Sequence, residues 1–144
     1  MTYIRDITAD EALWIRHQVL WPDKPTEFCR VEGDDQAVHL GGFIGNQLVT
    51  VLSLFDEGAF IQLRKFATLP QHQGQGHGTA LMRAAMDRAD GMGKPIRLHA
   101  RSGAIAFYER HGFTQQGEPF QKYSTETSIG PTYIWMQQTK NGTC

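Results

Sequence analysis

The chain has 144 residues, a formal net charge of −1, 40% hydrophobic residues and two cysteines, a balance that fits a single globular domain spanning residues 1–144. No net positive field and no block of Lys and Arg invites nucleic acid or anionic lipid, no apolar run reaches membrane-spanning length, and the start MTYIRDITADE lacks a signal-peptide core. A soluble cytoplasmic protein is expected, without a disulfide framework from Cys29 and Cys144 and without a metal site, because no His, Cys and Asp spacing suggests one.

In chain order, TYIRDI alternates weakly and predicts a first strand. Thr8 followed by Glu11 is a capping box that opens the helix ADEALWIRHQVL, with Leu13, Val19 and Leu20 inward and Pro22 beyond its end. WPDKPTEFCRVEGDD, with two prolines and clustered acids, predicts a loop or a short irregular helix. QAVHLGGFI and QLVTVLSLF flank Gly45-Asn46, which is hairpin chemistry, and DEG at 56 to 58 turns the chain into a third long strand, AFIQLRKFATL. An antiparallel meander therefore feeds into QHQGQGHGTALM, where Gly74, Gly76 and Gly78 crowd into five positions. Leu81, Met82, Ala85, Met86 and Ala89 then share one helical face, which Gly91 and Gly93 end. PIRLHA reads as a short buried strand, and Ser102 is placed to cap a second helix, GAIAFYERHG, that Gly112 ends in the left-handed conformation. Phe113 onward and TYIWMQQ read as two last strands around the polar QKYSTETSIG. The order predicts a mixed α/β domain (α+β in the segregated sense) on one largely antiparallel sheet.

A helix start preceded by glycines exposes unpaired N–H groups and the positive end of the helix dipole, so it suits an anion, usually phosphate. A Walker loop needs Gly-Lys-Ser/Thr, and this loop has no lysine. A dinucleotide fingerprint needs Gly-x-Gly-x-x-Gly and an acid about 20 residues on, whereas these glycines have another phase and PIRLHA offers no acid. Gln-x-x-Gly-x-Gly, satisfied by Gln73, Gly76 and Gly78, suits the pyrophosphate of coenzyme A. The plain alternative is a glycine-rich strand-to-helix turn.

LRKFATLPQHQGQGHGTALM is similar to the acetyl-CoA strand, loop and helix of the GNAT acetyltransferase superfamily. ARSGAIAFYERHGF resembles that family's second signature, Ala-x-x-Phe-Tyr-Glu-x-x-Gly-Phe, at Ala104, Phe107, Tyr108, Glu109, Gly112 and Phe113. The resemblance implies a GNAT-like sheet with helices on both faces and an acetyl-CoA slot between two splayed strands, AFIQLRKFATL and PIRLHA. It implies that the backbone N–H groups of Gly74, Gln75, Gly76, His77, Gly78 and Thr79 hold the pyrophosphate, with the Gln73 side chain nearby. It implies that the backbone of Phe66, Ala67 and Thr68 pairs with the pantetheine arm, and that Tyr108 points its hydroxyl at the thioester sulfur as general acid. Many members carry Asn where Arg101 stands, which leaves Arg101 to a phosphate or to the substrate. In the front half, Arg16 to Leu20 and GDDQAVHLG are similar to a subgroup of small bacterial members, which marks Arg16, Asp35 and His39 as substrate-binding candidates.

The activity so implied is acetyl-CoA-dependent transfer of an acetyl group to a primary amine of a small molecule by direct attack. The alternatives are a non-catalytic acyl-CoA sensor and a protein or peptide amine modifier. An alkylamine of pKa near 10.4 costs about 4.6 kcal/mol to hold neutral at pH 7, so a base is wanted. Glu57, just before the third long strand, and His39, on the first hairpin strand, are the candidates, with a water chain as the other route. His39 reads first as a half-buried, hydrogen-bonded histidine and second as a base, and Asp34 and Asp35 either pair with Arg16 or receive a cationic substrate. Cys29 is expected to be a bystander, and the acceptor and a homodimer are left open.

Overall fold

The computed structural model describes residues 2–121 and 132–139. Strand β1 (Tyr3–Ile7) is followed directly by helix α1 (Ala9–Leu20). The capping box forms: Glu11 N–H donates to Thr8 Oγ1 at 3.1 Å, and Thr8 N–H donates to the Glu11 carboxylate at 2.8 Å. One turn of 3-10 helix, Thr26–Cys29, interrupts the Pro-rich loop. Strands β2 (Val38–Ile44) and β3 (Gln47–Asp56) meet across Gly45, whose φ of 59° is the positive value that a two-residue hairpin turn demands. Strand β4 (Ile61–Thr68) completes the antiparallel meander, and the glycine loop leads into helix α2 (His77–Gly91).

Strand β5 (Ile96–Arg101), helix α3 (Ile105–Arg110), β6 (Phe113–Gln121) and β7 (Thr132–Gln138) follow. Ser102 does not cap α3 as expected. Ser102–Ala104 are taken up by a 3-10 turn, so the α-helix starts two residues later than expected, at Ile105, with no side-chain cap. Gly112 adopts φ 86°, the left-handed conformation anticipated for it. Of QKYSTETSIG only Gln121 lies within the described residues.

The strands form one sheet of order β1-β2-β3-β4-β5-β7-β6, in which β4–β5 is the parallel pairing and the other described pairings are antiparallel. Helices cover both faces, as the resemblance implied. On one face α1 buries Ala12 and Ile15 against Val49, Val51 and Ala67. On the other, Leu81, Met82, Ala85 and Ala89 of α2 and Tyr108 of α3 pack on Leu52, Leu63, Leu98 and Met136. The 3.6-residue spacing of the α2 face is what makes this possible, and each fully buried Leu or Met adds roughly 1.5–3 kcal/mol.

Candidate active site

Strands β4 and β5 pair only at Ile61↔Ile96, Gln62↔Arg97 and Leu63↔Leu98. Beyond Leu63 the edge of β4 that faces β5 has no strand partner among the described residues, while β5 stays paired with β7 on its other edge from Arg97↔Gln137 to Arg101↔Tyr133. On its other edge β4 carries a bulge. Ser53 pairs with Arg64 and Val51 with Ala67, so Lys65 and Phe66 together stand opposite Leu52. Lys65 takes up the extra residue at φ 57°, the one non-glycine positive φ among the described residues. Such a conformation costs of order 1–3 kcal/mol outside glycine and re-aims the strand, a device met beside functional sites. Here it turns Leu63 and Phe66 to the same core and Ala67 to the opposite one.

The gap between the strands is a cavity of about 290 Å³. Leu63, Phe66, Leu98, Ala104 and Tyr108 line it from the α2 and α3 side, and Gln62, Arg64, Lys65, His99, Arg101 and Tyr133 contribute the rest together with Leu20 and Trp21 from the end of α1. Tyr108 is 8% exposed, and burial pushes its phenol up to about 12. Its ring packs edge-on against Phe107 and Phe113.

The glycine loop closes on the end of β4. Gln73 Nε2 donates to the Thr68 carbonyl at 3.0 Å, which fixes the turn to the strand. Gly74 and Gly76 have φ of 75° and 89°, and a Cβ on either would meet nothing within 4 Å, so their faces are open. Gly78 is different: a Cβ there would lie 3.4 Å from the Phe66 ring, so the start of α2 rests against the β4 side chains. The first intrahelical bond of α2 runs from Ala80 N–H to Gly76 O, leaving the amides ahead of it without a carbonyl in the helix. Gly76, the N-cap, supplies no side-chain acceptor. The His77 ring is tied to Thr2 Oγ1 at 2.6 Å and to Gln75 Oε1 at 3.3 Å, so what His77 presents to the loop is its backbone. Successive amides at a helix start, with open space above two glycines, are a donor set that fits a diphosphate.

The front-half candidates lie elsewhere. Arg16, fully buried, grips Asp34 with both arms of its guanidinium at 2.8 and 3.0 Å, and also donates to Ser53 Oγ at 2.9 Å and the Cys29 carbonyl at 3.2 Å. His39 Nε2 donates to the Asp34 carbonyl at 2.9 Å, which leaves Nδ1 to accept from Ser53 Oγ at 2.6 Å. Both ring nitrogens are therefore committed, and the network pins the α1–β2 connection to β3. Arg16 and His39, expected at the substrate, are joined with Asp34 in this buried network, and neither is among the described residues that line the cavity. Asp35 is exposed on a shallow depression of residues 30–36, apart from the slot. Glu57, the expected base, is not among the described residues that line the cavity either. It is exposed in the β3–β4 turn, hydrogen bonded through its backbone to Phe60, at the end where β4 and β5 are still joined. Burial pushes the Cys29 thiol up, which suits a bystander.

Burial opposes the ionisation of Asp34, but Arg16 and the Val31 N–H outweigh it and hold the carboxyl below its ordinary range. A depressed folded-state pKa contributes stability that is complete above the unfolded value, about 3.9, and is lost as pH falls through the folded one. The free energy of unfolding is accordingly expected to drop as pH is lowered beneath about 4, and this acid limb to flatten in Asp34→Asn. Denaturant titrations between about pH 2 and pH 7 check it; equal limbs in both proteins contradict it.

Residues 23–115 match the model of the acetyltransferase (GNAT) domain, and the chain belongs to that family. An N-acetyltransferase of Bacillus licheniformis, itself uncharacterised, is 33% identical over 95 residues, which are 58% of this chain and 57% of that relative, so the chain spans little more than half its length. Among solved structures, Escherichia coli ElaA superposes with a TM-score of 0.77 at 20% identity, over 96% of this chain and 100% of that one. A GNAT family acetyltransferase from Elizabethkingia anophelis with acetyl-CoA bound gives a TM-score of 0.71 at 14% identity, over 96% and 98%. At such identities the structures speak to the fold.

Proposed function

We propose that the protein is a cytoplasmic N-acetyltransferase that uses acetyl-CoA to acetylate a primary amine of a small molecule by direct attack. The observation that carries this reading is the joining of two features at one strand: an open amide cradle at the start of α2 and a parted β4–β5 edge that leads from it to Tyr108. Acetyl-CoA, when bound, supplies an activated acyl group on a good leaving group.

The chain supplies the rest. The amides of Gly74 through Thr79 and the positive end of α2 hold the diphosphate, and Gln73 keeps the loop folded onto the strand by its bond to Thr68. The free edge of Phe66, Ala67 and Thr68 offers main-chain groups to an extended, amide-bearing arm, in the manner of an added strand. Holding both reactants in one slot removes much of the entropy barrier to their meeting. Tyr108 Oη keeps its proton at every physiological pH and presents it to a leaving sulfur. A phenol near 12 is a weaker acid than a thiol near 8.5, so Tyr108 acts chiefly as a hydrogen-bond donor to the charge that develops there. Among the described residues no carboxylate lines the cavity, which leaves deprotonation of the amine to water.

The test follows free thiol while acetyl-CoA is offered with a panel of amines. Release that requires an added amine supports the enzyme; acetyl-CoA binding with no amine-dependent release favours a sensor.

A further inference from the structure

Among the described residues that line the cavity three are cations, Arg64 and Lys65 on the β4 lip and Arg101 on the β5 lip, and none is an acid. Among the described residues none of the three is ion-paired. The nearby carboxylate, Asp34, is already held by both arms of Arg16. Arg64 rests instead over the Phe55 ring at 5.4 Å and Arg101 over the Tyr133 ring at 5.9 Å, contacts that orient a guanidinium and leave its charge unmatched. Like charges gathered in a concave, partly desolvated gap without a counter-ion repel one another and focus a field that draws in an anion.

The diphosphate is not that anion, for a geometric reason. Phe66 faces the core of α2, and its ring meets Gly78 of the loop. Arg64 and Lys65 leave β4 on the opposite side: Arg64 pairs with Ser53 and reaches Phe55, and Lys65 feels the charges of Arg16 and Asp34 beneath α1. Ala100 of β5 likewise packs in the α2 core, so alternation along the strand sends Arg101 to the other face. The phosphate cradle and the cations thus lie on opposite faces of the slot. In addition, the three residues from Lys65 to Thr68 carry the strand on by about 10 Å before the loop begins.

We infer that the acceptor is a primary amine that also carries an anionic group, a carboxylate or a phosphate, which Arg64, Lys65 and Arg101 bind. This rests on the acetyltransferase reading above. The same cations do a second service. A positive field disfavours an ammonium, as it does for Lys65 itself, whose pKa is lowered by burial and then by Arg64 and Arg16. The acceptor amine is therefore pushed toward its neutral, nucleophilic form in a cavity whose described lining has no carboxylate base. Polycationic amines are excluded by the same charges.

The experiment measures kcat/KM for matched pairs, L-phenylalanine against phenethylamine and O-phosphoethanolamine against ethanolamine, with spermidine as the cationic member. At least one anionic member is expected to exceed its neutral partner by about tenfold or more, and the pair that responds tells carboxylate from phosphate. In the double variant Arg64→Gln, Lys65→Gln the ratio should fall toward one through KM, with coenzyme A affinity unchanged. Preference for the neutral or the polycationic amine, or a ratio the variant does not alter, overturns the inference. Should no amine of the panel turn over, calorimetry on the coenzyme A-loaded protein decides with 3-phenylpropionate against 3-phenylpropanol: the acid must bind more tightly, and equal binding overturns the inference. Failure of the parent protein to bind coenzyme A at all would instead strike the acetyltransferase reading.

Discussion

Gly76→Asp is expected to weaken acetyl-CoA binding by about 10³-fold, roughly 4 kcal/mol. Three effects add at this one position. Gly76 sits at φ 89°, where an L side chain is strained by roughly 1–2 kcal/mol. It is also the N-cap of α2, so a carboxylate there can accept from the helix's own orphan amides and occupy the donors the diphosphate needs. Finally, two negative charges about 4 Å apart near a protein surface repel by about 4 kcal/mol before screening. Gly76→Asn separates these terms: Asn tolerates the left-handed region and carries no charge, so its loss should be far smaller. Calorimetry on both variants checks the order, and wild-type affinity in the Asp variant removes the loop from the site.

Tyr108→Phe is expected to lower kcat by about 10²-fold while leaving the dissociation constant of acetyl-CoA within about twofold. The ring packs on Phe107 and Phe113, and Phe preserves those contacts, so the variant loses the hydroxyl and little else. Because burial pushes this phenol up to about 12, its deprotonation cannot produce a fall in rate between about pH 7 and pH 10. The pH profile of the parent enzyme should therefore show no alkaline limb from Tyr108 in that window. A variant that turns over at the parental rate makes Tyr108 a packing residue.

Much of the fold is legible in the sequence because its signals are local. The Thr8–Glu11 box, the Gly45 turn, the face Leu81, Met82, Ala85 and Ala89, and the left-handed Gly112 each follow from periodicity or cap chemistry within a few residues. The glycine loop and Tyr108 are legible for a second reason, since they sit in two contiguous motifs. Ser102 misleads because a 3-10 turn and an α-helix start with the same small polar residues.

What escapes is decided by tertiary register. Nothing in LRKFATL announces that Lys65 will be bulged at φ 57°, and without the bulge strict alternation would place Arg64 and Phe66 on one face. Arg64 and Lys65 are for that reason invisible as cavity residues until the chain is folded. In the front half, Arg16 and His39 gather around Asp34, not around the Asp35 chosen from the spacing. Arg16, Asp34 and His39 meet each other and Ser53 in the interior, a closure that spacing alone does not distinguish from a substrate site. Glu57 is near β4 in sequence, but it lies before Ile61, at the joined end of the strand pair.

The central claim is that backbone amides at the start of α2 seat the diphosphate of coenzyme A and lay its arm between parted strands, and the crystal structure of the coenzyme A complex tests it most directly. The account predicts diphosphate oxygens within about 3 Å of amides between Gly74 and Thr79, with the arm along Phe66 to Thr68 and the thiol end at Tyr108. Coenzyme A bound elsewhere with those amides untouched, or β4 and β5 paired beyond Leu63 and Leu98 with no gap between them, would contradict it.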